Sequence, residues 1–200
     1  MTAATQAPSS DGRRLRRELN RDAVIDALVT FYRAGSYQPS CTEIAARAGL
    51  SERSLFRYFR DVEDLHRAAA DREITVALPQ LASAAAEELT RVKIERMVHA
   101  RAALWEHAGP AARALGANSH RHAKLAAELD RYRNFLQGQL RELFAPELAA
   151  HGNVVLPAIE VLCSHHSWDR LRHRQGLSAE SATATLIAAL TALLTGPHDA

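Results

Sequence analysis

The chain has 200 residues and a formal net charge of +2, with 47% hydrophobic and 24% charged residues, a balance that excludes an intrinsically disordered protein. No apolar run approaches the roughly 18 residues of a membrane-spanning helix, so the sequence excludes such a helix. Only 9 Gly and 7 Pro supply too few tight turns for an all-β fold, and the chain length allows one or two domains.

The first 17 residues are predicted to form a flexible basic arm. Residues 1–12 are small and polar and lack the apolar stretch of a signal peptide, and the sequence RRLRR follows at 13–17. Residues 1–60 contain 10 Arg against 6 Asp and Glu, whereas residues 61–200 contain 15 Lys and Arg against 17 Asp and Glu. This asymmetry indicates that the N-terminal end meets a polyanion. The arm either enters a minor groove of DNA or extends the first helix into solvent, and the sequence leaves both alternatives open.

The first predicted helix is amphipathic and starts near residue 20. Asn20 is a candidate N-cap, although an upstream start is open too. Apolar side chains recur at spacings of three and four and predict one buried stripe, formed by Leu19, Ala23, Val24, Ala27, Leu28 and Phe31. Gly35 follows at the position where a helix commonly ends in a left-handed residue.

Two shorter helices are predicted next. Ser40 begins a capping box, in which its hydroxyl accepts from the amide of Glu43 and the Glu43 carboxylate accepts from the amide of Ser40. Gly49 ends this helix, and Ser51 caps a third helix that is predicted to continue to Phe59. Because helices this short bury little apolar surface alone, they require the first helix behind them. That is the outline of a three-helix DNA-binding unit.

The chain after residue 61 is predicted to be helical throughout, since Ala and Leu are abundant and β-branched runs are rare. Asp61 caps a long helix from Val62, in which Pro79 is predicted to cause a kink, and Ser178 caps the last helix. Between them Gly109-Pro110 is a predicted break. The further helices are predicted at 90–107, 110–116, 120–144, 154–173 and 178–195.

Residues 40–65, SCTEIAARAGLSERSLFRYFRDVEDL, resemble the N-terminal domain of TetR-family transcriptional regulators. The resemblance consists of the hydroxyl cap, Ile44-Ala45, Ala48-Gly49-Leu50-Ser51, Ser54-Leu55-Phe56, Tyr58-Phe59 and the acidic helix start before Leu65. The segments SWDRL at 167–171 and QGLS at 175–178 are also similar to the last two helices of many such regulators.

The resemblance implies an all-α fold with a helix-turn-helix DNA-binding domain at 18–60, after the arm at 1–17, and a larger effector-binding and dimerisation domain at 61–200. It implies a homodimeric regulator, most often a repressor, that binds a palindromic double-stranded DNA operator. It also implies release from that operator by a small-molecule effector, of which the sequence gives no identity.

The resemblance further implies a set of DNA contacts, carried over residue by residue. The base-proximal side chains are Thr42, Glu52, Arg53 and Arg57. The phosphate-proximal side chains are Ser40, Ser54, Phe56 and Tyr58. Phe56 replaces the usual tyrosine, so it packs on a sugar or a thymine methyl group and cannot donate to a phosphate. Val62 occupies a position where a phosphate-binding lysine is common, and Arg60 is expected to substitute for it.

Two sets of residues in the larger domain are candidates for ligand binding and dimerisation. The predicted cavity residues are Met97, Trp105, Tyr132, Phe135, Glu160, Cys163 and Trp168, with ordinary core packing as the alternative. The predicted dimer stripe is formed by Ile159, Leu162, Leu186, Leu190, Leu193 and Leu194. This stripe either covers the protomer's own core or pairs with its symmetry mate in a four-helix bundle.

No catalytic site, metal centre or cofactor is predicted. The sequence lacks a Gly-rich phosphate loop, a nucleophile elbow and the paired Glu-x-x-His motifs of a di-iron site. Cys41 and Cys163 are its only cysteines, which excludes a disulfide framework and, with the missing signal peptide, predicts a cytoplasmic protein. Two other functions stay open: a helical enzyme or ligand carrier with a vestigial helix-turn-helix, and a transcriptional activator.

Overall fold

The computed structural model describes residues 10–77, 88–151 and 154–195. Within these ranges the regular structure is helical and no strand occurs, which confirms the predicted all-α fold. No helix in the same ranges combines the length and the apolar character needed to span a membrane. The predicted kink at Pro79 lies outside the described residues. The helices are α1 (Ser10–Arg33), α2 (Cys41–Arg47), α3 (Glu52–Leu55), α4 (Val62–Ala77), α5 (Thr90–Ser119), α6 (Ala123–Leu143), α7 (Ala145–His151), α8 (Val155–Leu162), α9 (His165–Asp169), which continues into a π-helical turn (Arg170–Arg174), and α10 (Ala179–Thr195).

The first four helices share one apolar core. Leu28 of α1 and Ile44 of α2 are fully buried in it, as are Leu55 of α3 and Leu65 of α4. Because α2 and α3 are too short to be stable alone, their positions depend on packing against α1 and α4. The sequence predicts that α1–α3 bind DNA, and we call these three helices the DNA-binding unit below.

The N-terminal end of α1 differs from the sequence prediction. α1 begins at Ser10, so Asn20 lies inside the helix and is not its N-cap. The arginines at 13–17 lie on exposed turns of α1, in agreement with the helix-extension alternative for the basic arm. Leu19 is 60% exposed and does not belong to the buried stripe.

The predicted caps of α2 and α3 are present. Ser40 Oγ accepts from the Glu43 amide at 3.2 Å, and the Ser40 amide donates to the Glu43 carboxylate at 2.8 Å. Ser51 Oγ accepts from the amide of Ser54 at 3.2 Å. Gly49 has a φ of +70°, a left-handed conformation that glycine adopts without steric cost. These bonds satisfy helix-terminal amides that have no partner within the helix.

α3 is shorter than predicted and ends at Leu55 instead of Phe59. The amides of Arg57 and Tyr58 donate to carbonyls three residues back, at 3.1 and 2.9 Å, which is the bonding of a 3₁₀ turn. The chain remains wound beyond Leu55, and Phe59 reaches the same core with 2% of its surface exposed.

α5 is the central helix of the rest of the chain and contacts α4, α6, α9 and α10. The predicted break at Gly109-Pro110 is wrong, because α5 continues through both residues. Ala108 and Ala111 are fully or almost fully buried on either side of the proline. The packing of this segment therefore overrides the local cost of proline within a helix.

The predicted helix at 154–173 is divided into α8, α9 and the π-helical turn. Ser164 ends the first part and caps the second, since its Oγ accepts from the Ser167 amide at 3.2 Å. A serine hydroxyl competes in this way with the helical backbone, and the helix restarts at the new cap. The last helix begins as predicted, with Ser178 Oγ accepting from the Ser181 amide at 3.0 Å.

The apolar stripe predicted for the dimer interface belongs mainly to the protomer's own core. Four of its members are at most 5% exposed: Ile159, Leu186, Leu190 and Leu194. The other two, Leu162 and Leu193, are partly buried against the same core. The protomer-core alternative therefore applies, because the most apolar face of a helix is the one that its own protomer buries first.

Candidate DNA interface and ligand cavity

The outer face of α3 and of the turn that follows it presents two arginines. Arg53 and Arg57 are exposed, and neither side chain has a hydrogen bond or an ion pair to any residue that the structure describes. Phe56, between them in the sequence, is 42% exposed. Guanidinium groups bind guanine O6 and N7 in pairs, and an exposed ring packs against a thymine methyl group. The face therefore carries the chemistry of base recognition.

The other two base-proximal candidates contact each other. Thr42 Oγ1 donates a hydrogen bond of 2.7 Å to Glu52 Oε2, and both residues are exposed. The bond connects the first turn of α2 to the first turn of α3. It orients the Glu52 carboxylate, which is the acceptor that suits the N4 amino group of cytosine.

The phosphate-proximal candidates lie around this face. Ser40 Oγ donates to Glu43 Oε2 at 2.6 Å, and Ser54 Oγ lies 3.0 Å from Ser51 Oγ, so both hydroxyls belong to helix caps. Tyr58 Oη accepts from Asn20 Nδ2 at 2.9 Å and keeps its own proton for donation. Arg60 Nη2 lies 3.5 Å from Asp64 Oδ1, and its side chain is 79% exposed.

A buried hydrogen bond supports α3 from below. Tyr32 Oη of α1 lies 2.5 Å from His66 Nδ1 of α4. Burial, and to a lesser degree His122, lowers the pKa of His66 from 6.5 to about 4. The imidazole is therefore neutral at pH 7, and its tautomer decides whether Nδ1 accepts from the Tyr32 hydroxyl or donates to it. This buried bond joins α1 and α4, the two helices behind α3.

The helical fold of this chain occurs in solved structures that are described as transcriptional regulators. A protein from Rhodococcus sp. that is assigned to the TetR family superposes with a TM-score of 0.65 at 17% identity, covering 88% of this chain and 99% of that chain. A TetR-family regulator from Streptomyces coelicolor gives 0.63 at 21% identity, covering 88% and 81%. A TetR-like regulator from Rhodococcus sp. RHA1 gives 0.60 at 18% identity, covering 96% and 100%. The chain has the fold of TetR-family transcriptional regulators.

The relationship shows in the structure alone. No family model and no curated protein matches the sequence. The resemblance to the TetR family in residues 40–65 is thus supported at the level of the fold, and the similar structures are regulators and not enzymes.

The larger unit of this TetR-like fold contains a cavity of about 340 Å³ between α4, α5, α6, α8 and α9. Five of the predicted cavity residues line it: Trp105, Tyr132, Phe135, Glu160 and Cys163. Met97 and Trp168 do not, because they are buried in the neighbouring core with 8% and 3% exposure. The indole Nε1 of Trp168 donates to Glu106 Oε1 at 2.9 Å, outside the cavity lining.

Sequence reasoning predicted Glu160 in the lining but missed its polar neighbours Arg101 and Gln137. Arg101 is 4% exposed, and its Nη2 donates to the Leu136 carbonyl at 2.9 Å. Gln137 Nε2 donates to Glu160 Oε2 at 2.7 Å. An arginine at helical spacing is usually solvated, so Arg101 gave no signal in the sequence.

Arg113 joins the cavity to the DNA-binding unit. It lines the cavity, its Nη1 lies 2.5 Å from Asp169 Oδ1, and its Nε donates to Tyr37 Oη at 2.7 Å. Tyr37 precedes α2, and Asn118 Nδ2 donates to its carbonyl at 2.9 Å. One end of α5 therefore holds the segment that leads into the helix-turn-helix.

α4 also connects the two regions. It lines the cavity with Ile74 and contacts α1 through ion pairs from Arg33 to Glu73, at 2.9 Å, and from Arg72 to Asp26, at 2.6 Å. Partly exposed pairs such as these contribute little to stability. The buried bond between α1 and α4 described above is the stronger connection.

The histidines and cysteines show no arrangement for metal or thiolate chemistry. In the described part of the chain, no group of three or more His, Cys, Asp or Glu side chains is placed to hold a metal ion. His122 Nδ1 lies 3.4 Å from Glu63 Oε1 as an isolated pair. Burial raises the pKa of Cys163 to about 12, so its thiol is protonated and behaves as a small apolar group.

Proposed function

We propose that the protein is a cytoplasmic, homodimeric TetR-like repressor that binds a palindromic operator and leaves it when a small molecule enters the cavity. The observation that carries the proposal is the outer face of α3, where Arg53 and Arg57 are exposed and have no partner in the described residues. Helices that read the major groove present donors of this kind on a rigid, separately supported face.

In each protomer α3 enters the major groove. Arg53 and Arg57 bind guanines, Glu52 accepts from a cytosine, and Phe56 packs on a thymine methyl group. Two copies read half-sites whose centres are roughly 34–36 Å apart, which is one turn of B-DNA. The protein then requires an operator with two-fold symmetry.

The remaining candidates bind the DNA backbone. Tyr58 and Arg60 donate to phosphates, and the capping hydroxyls of Ser40 and Ser54 are the further candidates. Such contacts fix the register of the protein on the duplex and carry no sequence information themselves. They make the affinity strongly dependent on salt concentration.

The second copy is proposed to pack on the exposed face of α10. This face carries small side chains, Ala184, Ala188 and Ala192, and Val161 of α8 is 63% exposed beside it in the α8–α10 pair. Small side chains allow two helices to approach closely in a four-helix bundle. Ala188→Arg is expected to give a monomer in analytical ultracentrifugation and to lose operator affinity. Ala149→Arg, at an exposed position of α7, is the matched control and is expected to remain a dimer.

Control by an effector rests on the contacts between the cavity and the DNA-binding unit. Arg113 contacts both Asp169, in the cavity lining, and Tyr37, before α2. A ligand that favours another placement of Arg113 or of α4 changes the spacing of the two α3 helices. The loss of DNA affinity can be no larger than the preference of the ligand for that state, and DNA weakens ligand binding by the same factor.

Fluorescence anisotropy with a duplex from the region upstream of the protein's own gene tests the DNA-binding proposal. We expect selective binding over random competitor, and we expect Arg57→Ala to weaken it by about 1–3 kcal/mol. Arg141→Ala, which removes an exposed arginine from the last turn of α6, is the matched control. No preference for any duplex would leave the helical carrier or enzyme as the alternative. A reporter that falls when the gene is deleted would identify an activator instead of a repressor.

A further inference from the structure

Arg101 is a buried cation at the wall of an apolar cavity. Its side chain is 4% exposed, and it lines the cavity together with Trp105, Phe135 and Leu136. Nη2 donates to the Leu136 carbonyl at 2.9 Å and to Gln139 Oε1 at 3.4 Å. Nη1 is buried without a hydrogen-bond partner. No carboxylate of the described chain lies within ion-pair distance of this guanidinium.

A buried charge without a counter-ion is costly, and proteins rarely keep one that has no role. Burial lowers the pKa of Arg101 from 12.5 to about 10, so the group still carries its positive charge at pH 7. The folded protein therefore holds a buried cation in the wall of a mainly apolar cavity.

The other charged groups of the lining already have partners or face solvent. Arg113 is paired with Asp169, and Glu160 accepts from Gln137. Arg133 is exposed and its Nη1 lies 2.7 Å from Asp130 Oδ1. Two histidines complete the polar lining. His166 is exposed, and burial lowers the pKa of His165 to about 4, so that imidazole is neutral at pH 7. Of the described lining, Arg101 and Glu160 are the charged groups without a counter-ion, and Arg101 is the more deeply buried of the two and the one whose Nη1 has no hydrogen-bond partner.

We propose that the cavity takes a carboxylic acid with an alkyl or aryl body, whose carboxylate binds Arg101 and whose body packs against Trp105, Phe135 and Leu136. As the identity of the effector class, this inference rests on the proposed function. A carboxylate accepts from Nη1 and neutralises the guanidinium with one charge. A doubly charged phosphate would leave one charge unpaired in an apolar site, so the geometry favours the monocarboxylate. The volume, about 340 Å³, is that of a small-molecule pocket.

Matched acids and alcohols test the charge preference directly. The probes are decanoate and 4-phenylbutanoate, each compared with its own alcohol, decan-1-ol and 4-phenylbutan-1-ol. Binding to the full chain is followed by tryptophan fluorescence, since Trp105 lines the cavity, and by isothermal titration calorimetry. We expect at least one acid to bind the wild type about tenfold tighter than its alcohol, the size of one charge-assisted contact.

Arg101→Met and Arg101→Gln are expected to reduce this preference to within about twofold. Arg133→Met removes a cation of the same lining that has its own partner, and it is expected to keep the wild-type preference. The melting temperature of the ligand-free protein separates ligand binding from a structural role. Removal of an uncompensated buried charge is expected to leave it unchanged or higher in Arg101→Met, whereas an arginine needed only to hold the Leu136 carbonyl would lower it.

The proposal is overturned if neither acid binds, if acids and alcohols bind the wild type equally, or if the preference survives in both Arg101 variants. If the variants do not fold, the comparison of acids with alcohols in the wild type still tests the proposal through the first two outcomes. The titrations contain no DNA, so their failure leaves operator binding intact. A protein that prefers acids and binds no duplex would instead contradict the regulator proposal and support a carrier of organic acids.

Discussion

The DNA-binding unit and the larger helical unit differ in the polar contacts that we compare within each of them. The difference is how far apart the two partners of a contact lie in the sequence. In the first, the caps formed by Ser40 and Ser51 each join residues three positions apart. In the second, Lys93 binds Glu147 and Trp105 Nε1 donates to the Cys163 carbonyl, across 54 and 58 positions. The first unit is therefore specified segment by segment, whereas the second depends on the packing of the whole bundle.

The largest effect is expected from breaking a long-range pair. Lys93 is 1% exposed, and its Nζ lies 2.7 Å from Glu147 Oε2. Lys93→Met leaves the carboxylate buried without its cation, so the free energy of unfolding is expected to fall by about 3–5 kcal/mol in chemical denaturation. The double variant Lys93→Met/Glu147→Leu is the control and should recover most of this loss. A single variant within 1 kcal/mol of the wild type would show that the pair does not hold the bundle.

The next effect concerns the contact at the border of the two regions. The pKa of His66 is about 4 in the folded protein and about 6.5 when exposed, so between these values the unfolded state binds more protons. Stability therefore falls as the pH decreases from 6.5 to 4, by about 3 kcal/mol from this residue. His66→Asn, which keeps an acceptor for Tyr32, is expected to show a flatter stability profile. Substitution of the exposed His99 controls for the loss of a histidine elsewhere; equal slopes for the wild type and His66→Asn would contradict the prediction.

The caps of the DNA-binding unit are expected to give a smaller loss. Ser40→Ala removes the hydroxyl that accepts from the Glu43 amide, and it is expected to lower the free energy of unfolding by about 0.5–2 kcal/mol. Ser36→Ala, an exposed serine in the loop before α2, is the matched control. If both variants unfold at the same denaturant concentration, the capping box contributes nothing measurable.

The smallest effects are expected from replacing two glycines by alanine, which should change the stability in opposite directions. Gly138 lies inside α6, and a Cβ there meets nothing within 4 Å, so Gly138→Ala is expected to stabilise by about 0.5–1 kcal/mol. Gly49 has a φ of +70°, and Gly49→Ala is expected to destabilise by about 1 kcal/mol or more. Thermal melts of the two variants should therefore shift in opposite directions, and shifts of the same sign would refute the assignment of these backbone conformations.

The difference in range also explains which features the sequence could predict. The caps at Ser40, Ser51 and Ser178 were predicted correctly because both partners lie within four residues of each other. The break expected at Gly109-Pro110 was wrong, since burial of the flanking alanines overrides the local preference of proline. The start of α1 was left open between Asn20 and an upstream position, because exposed arginines are good helix formers that leave no apolar periodicity.

The candidate sites follow the same rule. The positions around α3 came from a local motif, and all of them except the half-buried Ser54 and Tyr58 are exposed. Seven cavity residues were predicted from their residue type, and five of them line the cavity. Arg101 has no local signal, because its burial depends on α6. The stripe containing Leu186 and Leu190 was predicted as a dimer interface because it is apolar. It is apolar because it packs in the core of the single chain.

The unbroken course of α5 has a mechanical consequence. Arg101 and Asn118 belong to the same helix, separated by roughly 26 Å at 1.5 Å per residue. Under the proposed control by an effector, a shift of α5 at Arg101 is carried to Asn118 by displacement of one stiff helix. The stretch around Pro110, where one backbone hydrogen bond is absent, sets how much of that displacement arrives. Stiffening or loosening this short stretch would tune the coupling while ligand affinity and operator affinity each stay as they are.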